Sequence, residues 1–272
     1  MSNKFDYIFS LYNRLPFNNS EIFVSAVAEY HRIPYLGATP NIRALAEDKH
    51  LAKMMAKYAG IDTPKWNVYN RNEKLHAANF PGPYFVKPRF GAASKYIDED
   101  SLCLNWKEAQ ERILYLHKNN QDAILEEYVN GTYYTSPVLN NFKKPIFLPC
   151  IKEESILKGN IVTYEQKRKI MGGLTRTINT DPNLETEIHH KSERMYKLIQ
   201  PLDYTRFDYI VDSETKKIKF LEFNVCCNLG EHSTISLAAK QLGINYDSLL
   251  SNIIYSSLYR QGIIKDMIGK QF

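Results

Sequence analysis

Arg206, Asp208, Glu222 and Asn224 fall within two short runs, residues 204–211 and 219–224, that are rich in aromatic and β-branched side chains. Each run reads as a strand, and the polar segment 212–217 between them reads as the turn of a β-hairpin. Folding this hairpin at Thr215 sets Arg206 opposite Asn224, Phe207 opposite Phe223, Asp208 opposite Glu222 and Tyr209 opposite Leu221. Alternation along the strands then leaves one apolar face and one polar face. The polar face gathers two carboxylates, a carboxamide and a guanidinium. Such oxygen donors suit Mg²⁺, and the adjacent cation suits charge developing on a transferring phosphoryl group. The same arrangement also fits the solvated face of an ordinary hairpin, on which Arg206 partly offsets the repulsion between Asp208 and Glu222.

Three further stretches carry candidate chemistry. In residues 84–94 a strand delivers Lys87 to its end and is followed by Gly91-Ala92-Ala93-Ser94, whose backbone amides can approach phosphate oxygens closely. The spacing is not that of a P-loop, so a surface turn is the competing reading. In residues 124–131 an apolar strand turns polar at Glu126-Glu127-Tyr128-Val129 just before a glycine, which can present backbone donors and acceptors to an adenine edge. The cations of residues 164–169, Lys167 among them, can reach a triphosphate or form a solvated charged face.

The elements that must position these residues alternate between helical and strand patterns, which points to an α/β or α+β architecture. A strand is expected over 5–11, a helix over 21–31, a short strand at 35–37, and one helix from Pro40 to just before Gly60, a natural helix stop. Pro64 marks a lobe boundary. Beyond it follow a strand at 84–87, a helix at 106–117, a strand at 123–129, the hairpin, and helices at 233–241 and 246–261. The 272 residues, 44% hydrophobic and 12% aromatic, allow a large core, and the net charge of +5 is spread rather than gathered into a nucleic-acid-binding stripe. With neither a signal-peptide pattern nor a membrane-length apolar run, a cytoplasmic location without membrane or nucleic-acid partners is expected. Cys103, Cys150, Cys226 and Cys227 lack zinc-type spacing and read as reduced thiols; the histidines likewise form no metal pattern, His189-His190 reading as an exposed helical pair.

The order of these segments, from Asp48-Lys49 through Gly60-Ile61-Asp62-Thr63-Pro64, Val86-Lys87-Pro88, Glu126-Glu127-Tyr128, Tyr164-Glu165-Gln166-Lys167 and Arg206-Phe207-Asp208 to Glu222-Phe223-Asn224, resembles the ATP-grasp superfamily, most closely its D-alanine:D-alanine ligase branch. The resemblance runs from about Phe5 to Ile254. It implies an α+β ATP-grasp fold with a shortened N-terminal α/β lobe (1–64), a central lobe (65–139) and a C-terminal lobe (140–272). It further implies ATP bound by Lys49, Lys87, Ala93, Ser94, Glu126, Glu127, Tyr128, Val129 and Lys167, with a pair of Mg²⁺ ions on Asp208, Glu222 and Asn224. Arg206 and Lys167 would be catalytic, Asn228 and Ser233 would meet substrate, and a small-molecule carboxylate and amine would be joined through an acyl-phosphate with release of ADP. A homodimer is an expectation by resemblance only.

Several positions depart from the branch. The β-α-β region and glutamate that precede the matched part are expected to be absent; Ala92-Ala93 replaces a serine-rich lid; Tyr133 stands where a ribose-binding acid belongs; Arg168 replaces a tyrosine; and Cys226-Cys227-Asn228 replaces a Ser-Pro-Gly loop. These changes direct the expectation toward a carboxylate–amine ligase with a substrate other than two D-alanines, with a divergent dipeptide ligase left open beside it. They also keep open an inactive nucleotide-binding regulatory module as the alternative. A cysteine nucleophile is disfavoured because no histidine is visibly placed to activate a thiol.

Overall fold

The computed structural model describes residues 5–10, 20–142, 144–167 and 171–265. The first half contains α1 (Ser20–His31), α2 (Pro40–Glu47), α3 (Lys49–Tyr58), β1 (Trp66–Tyr69), β2 (Tyr84–Pro88), β3 (Leu102–Cys103), α4 (Trp106–Lys118), β4 (Ala123–Glu127) and β5 (Gly131–Asn141). The second half adds β6 (Lys144–Phe147), β7 (Ile151–Ser155), α5 (Tyr164–Lys167), β8 (Leu174–Ile178), α6 (Pro182–Leu198), β9 (Tyr204–Asp212), β10 (Ile218–Asn224), α7 (Thr234–Gln241) and α8 (Tyr246–Arg260). The helices and antiparallel sheets give the α+β class expected from the sequence.

A four-stranded sheet runs β1-β4-β2-β3, and a six-stranded sheet runs β10-β9-β5-β7-β8 with β6 paired to β5. Helix α4 begins where Asn105 accepts from the Glu108 amide. Its stripe of Ala109, Ile113 and Leu116, spaced to fall on one side of a helix, packs against Val86 and Leu125 of the smaller sheet. Behind the hairpin, Phe207, Tyr209, Phe220 and Phe223 share one core with Ile42 of α2, Ala52 and Ala56 of α3, and Ile188 and Met195 of α6. A further cluster joins Leu139, Ile151 and Tyr204 to Ile235 of α7 and Leu249 and Ile253 of α8.

The helix expected from Pro40 to Gly60 is two helices. Asp48 leaves helical geometry at φ −99° and ψ 102°, and its carboxylate accepts the His50 amide to cap α3. A short polar side chain that satisfies a nearby amide competes with helix continuation. Asp48 is also held by Arg89 at 2.6 Å and bridged to Phe90, so the break ties α3 to the end of β2. Gly60 ends α3 at φ +68°, as expected. The strand expected over 5–11 is reduced to one parallel bridge, Ile8 to Tyr35, which also replaces the strand expected at 35–37; Leu11 lies outside the described residues. β4 stops at Glu127, two residues short of the expected end, because Tyr128 turns to donate its amide to Pro83.

β5 is paired to β9 from Gly131 through Leu139. We propose on that basis that the central and C-terminal lobes meet at residues 128–130 rather than at 139/140, and that α2 and α3 belong with the sheet whose core they share.

Candidate active site

The hairpin pairs Arg206 with Asn224, Phe207 with Phe223 and Asp208 with Glu222, as expected. Past Glu222 the register slips: Tyr209 meets Phe220, not Leu221, because Leu221 is the extra residue of a β-bulge. A bulge places two consecutive residues on one face. Phe220 and Phe223 therefore both enter the core although three positions separate them, while Leu221 and Glu222 both line the cleft. The adjoining segment holds this distortion in place. The Phe220 amide donates to Asp62 O at 2.7 Å, and the Thr63 hydroxyl donates to Phe220 O at 2.8 Å.

On the cleft face, Asp208 accepts from Thr135 Oγ1 at 2.8 Å and from Asn224 Nδ2 at 3.1 Å, and lies 3.3 Å from the Arg206 guanidinium. Burial pushes the Asp208 carboxyl above its usual range, with Arg206 opposing. Glu222 behaves differently. Burial disfavours its charge, but Lys49, Lys87, Lys167 and Arg206 outweigh that and hold it at about 2. No hydrogen bond or ion pair engages its carboxylate directly among the described residues. Arg206 is partly incomplete, with a buried Nε that has no acceptor among the described residues. An ionised carboxylate and a guanidinium edge are thus left available to ligands.

These donors fit a hard cation: Asp208 and Glu222 offer carboxylate oxygens, and Asn224, whose Nδ2 faces Asp208, has its amide oxygen free to turn outward. Among the described residues no group of three or more His, Cys, Asp or Glu could hold a metal. Two acids with a carboxamide suit an ion that takes its remaining oxygens from phosphates and water.

Facing this cluster across a cleft of about 780 Å³ is the end of the smaller sheet. Glu126 is buried there between Lys53 Nζ at 3.0 Å and Lys87 Nζ at 3.1 Å. Lys53 is fully buried and also donates to Thr63 Oγ1 at 2.8 Å. Burial draws its ammonium down to about 8 against the pull of Glu126. Lys87, Glu127, Tyr128, Val129 and Ser94 line the same cleft, with Tyr133 and Leu221. The Glu126 side chain is thus engaged by lysines, and what the 126–129 segment offers a purine ring is backbone and apolar surface. Lys219 Nζ meets Glu127 at 3.2 Å and links the two sheets at this edge.

Lys49 lines neither cleft. Its ammonium donates to the Gly91 carbonyl and so tethers the loop after β2, in which Gly91, Ala93 and Ser94 all have positive φ. Non-glycine residues in this region cost roughly 1 kcal/mol each. Lys167 ends α5 and borders both the cleft between the sheets and a broader second cleft of about 1970 Å³. Arg206, Asn224, Asn228, Ser233 and Ala93 border the second cleft. Asn228 accepts from the Gly230 amide, and Ser233 caps α7 through Ser236, so both side chains already shape the loop. Cys226 and Cys227 border this cleft as well; burial raises both thiols, Cys227 to about 12, which keeps them protonated and opposes a thiolate nucleophile. The Arg168 departure lies outside the described residues. His189 is half-buried with Nε2 at 3.1 Å from Leu148 O, while His190 is exposed.

Sequence reasoning missed Lys53, Thr135, Glu153 and Arg176. Lys53 follows Lys49 by one turn on the buried stripe of α3, a spacing that signals a shared face. The others enter only through strand order, since Thr135 meets Asp208 across β5–β9 and Glu153 meets Arg176 across β7–β8.

Residues 52–255 match the family described as D-ala D-ala ligase C-terminus. The chain is 30% identical over 233 residues to a D-alanine–D-alanine ligase from Aquifex aeolicus, covering 85% of this chain and 76% of that protein. Its structure superimposes on a D-alanine–D-alanine ligase from Bacillus anthracis complexed with ATP, with TM-score 0.72 at 22% identity, over 88% of this chain and 75% of that one. It superimposes likewise on the VanG D-Ala:D-Ser ligase from Enterococcus faecalis, with TM-score 0.76 at 21% identity, over 94% and 74% of the two chains. The hairpin register, the lysine-lined cleft and a family match over three quarters of its length lead to one conclusion: the chain belongs to the D-alanine–D-alanine ligase family of the ATP-grasp superfamily.

Proposed function

We propose that this ATP-dependent ligase joins a small carboxylate to an amine through an acyl-phosphate, releasing ADP, with its chemistry centred on the polar face of the hairpin. The nucleotide lies between the two sheets, its ring against Tyr128, Val129 and Leu221 and its phosphates toward Lys87, Lys167 and the lid residues Ala93 and Ser94. Lys49 serves by holding that lid. Mg²⁺ on Asp208, Glu222 and Asn224 supplies neutralisation of phosphate charge when bound. Arg206 offers its unfilled guanidinium edge to the transferring phosphoryl group and then to the oxyanion of the tetrahedral intermediate. The amine enters from the second cleft beside the Cys226–Asn228 loop. The relatives by name join D-alanine to D-alanine or to D-serine, so amino acids are the first substrate class to test.

The observation that carries this reading is that, among the described residues, the Glu222 carboxylate in the cleft with Lys87 and Lys167 has no direct partner, and the buried Nε of Arg206, beside Asp208, has no acceptor. A regulatory module that had lost ligation would gain nothing from keeping this carboxylate and this guanidinium edge open. The test is ADP release with ATP, Mg²⁺ and paired amino acids of both hands, followed by mass measurement of the condensed product. ATP binding without ADP release for any pair would favour the inactive module.

A further inference from the structure

Arg176 is a cation that the phosphoryl chemistry leaves unused. It sits on the edge strand β8, opposite Glu153 of β7. Its Nε donates to Glu153 Oε1 at 2.6 Å, and Glu153 is buried, which fixes the guanidinium by one edge. Burial disfavours the charge of Glu153, but Lys167, Arg176 and Arg206 together keep it ionised. No acceptor engages the two terminal nitrogens of Arg176 among the described residues, and they remain free to donate in parallel to a planar anion. Lys167 borders both clefts, whereas Arg176 borders the second one alone, away from the nucleotide. The described lining of that cleft carries three cations, Lys167, Arg176 and Arg206, against one acid, Glu21.

From this placement, and resting on the ligase reading above, we propose that Arg176 is a specificity residue and that the substrate bound in the second cleft is an amino acid with a second, side-chain carboxylate. Arg206 and the loop before α7 face the reacting end, and Arg176 takes the remote carboxylate. A neutral side chain would leave the Arg176 fork facing solvent and gain nothing from it. Charged hydrogen bonds of this kind contribute about 1.5–3 kcal/mol, which converts to roughly ten- to a hundred-fold in affinity.

The test compares acid and amide isosteres, glutamate with glutamine and aspartate with asparagine, in both enantiomers. Each is titrated calorimetrically into the full chain loaded with ADP and Mg²⁺. The wild type should bind one acid about ten-fold or more tighter than its amide. Arg176→Gln should erase that preference with nucleotide affinity unchanged, and Arg176→Lys should restore part of it. Three results overturn the proposal: equal binding of acid and amide, or no binding of any of them, by the wild type; equal loss for acid and amide in Arg176→Gln, which would mean that Arg176 only positions Glu153; or a loss of nucleotide affinity instead. The ligase reading fails separately. Absence of ADP release with every pair, while the acid preference and its loss persist, would remove the ligation chemistry and leave the carboxylate site standing.

Discussion

At the end of the smaller sheet, Glu126 sits between Lys53 and Lys87 at 3.0 and 3.1 Å, so its charge is answered inside the protein. Across the cleft, the surrounding cations hold Glu222 at about 2 with no direct partner among the described residues, where Arg206 likewise keeps a buried Nε without an acceptor. Both regions remove charge from water, which is costly unless the charge is paired. The first region has its carboxylate held in two ion pairs before any ligand arrives, which fixes Lys87 and the cleft wall. The second is held in register by the sheet yet electrostatically unfinished, and its remaining stabilisation has to come from what binds. On the proposed reading, preorganisation and reactivity are divided between two facing sheets.

If the smaller sheet is indeed the completed side, removing its central acid should have the largest effect. Glu126→Ala leaves two buried lysines without a counter-ion, and urea unfolding should show a loss of about 3–5 kcal/mol. A loss below about 1 kcal/mol would mean that the lysines are compensated elsewhere and that the contrast between the regions fails.

Arg206 tests the unfinished side. Arg206→Met should fold normally and bind ATP, yet release ADP at least about a hundred-fold more slowly, the scale of deleting a transition-state donor. Near-normal turnover would remove Arg206 from the chemistry.

Glu222 sharpens the comparison through pH and metal. Its folded value of about 2 lies below the ordinary 4.5, so its stabilising contribution is complete above 4.5 and disappears as pH falls toward 2. The unfolded chain binds the proton first in that window, which lowers stability on the acid side by on the order of 2–3 kcal/mol. Glu222→Gln should flatten that acid limb and shrink the extra rise in melting temperature that Mg²⁺ adds to ATP. An unchanged acid limb with an unchanged Mg²⁺ increment would place the metal and the lysine field elsewhere.

The smallest effect is expected at the bulge. Leu221→Ala should weaken ATP binding by about three- to ten-fold through lost apolar contact, with kcat nearly unchanged. A large fall in kcat would show that Leu221 instead holds Glu222 in place.

Alternation and local chemistry determined much of this molecule from the chain itself. The aromatic and β-branched runs flanking 212–217 dictated the hairpin, and period two put Arg206, Asp208, Glu222 and Asn224 on one face. Helical spacing dictated α4, and the conformational freedom of Gly60 dictated the end of α3. What the tertiary structure decided lies where distant segments compete for the same backbone or the same charge. Asp48 breaks a helix because Arg89 and Phe90 come to meet it. The bulge at Leu221 forms because Asp62 and Thr63 take the backbone groups of Phe220, which changes its parity against every residue nearer the turn. Thr135, Glu153 and Arg176 have no local signal of their role, and Lys53 has only its helical spacing from Lys49, since each gains its partner from a strand or helix far away in sequence. Local rules fix what a residue can do, and only the order of strands in a sheet fixes what it is placed against.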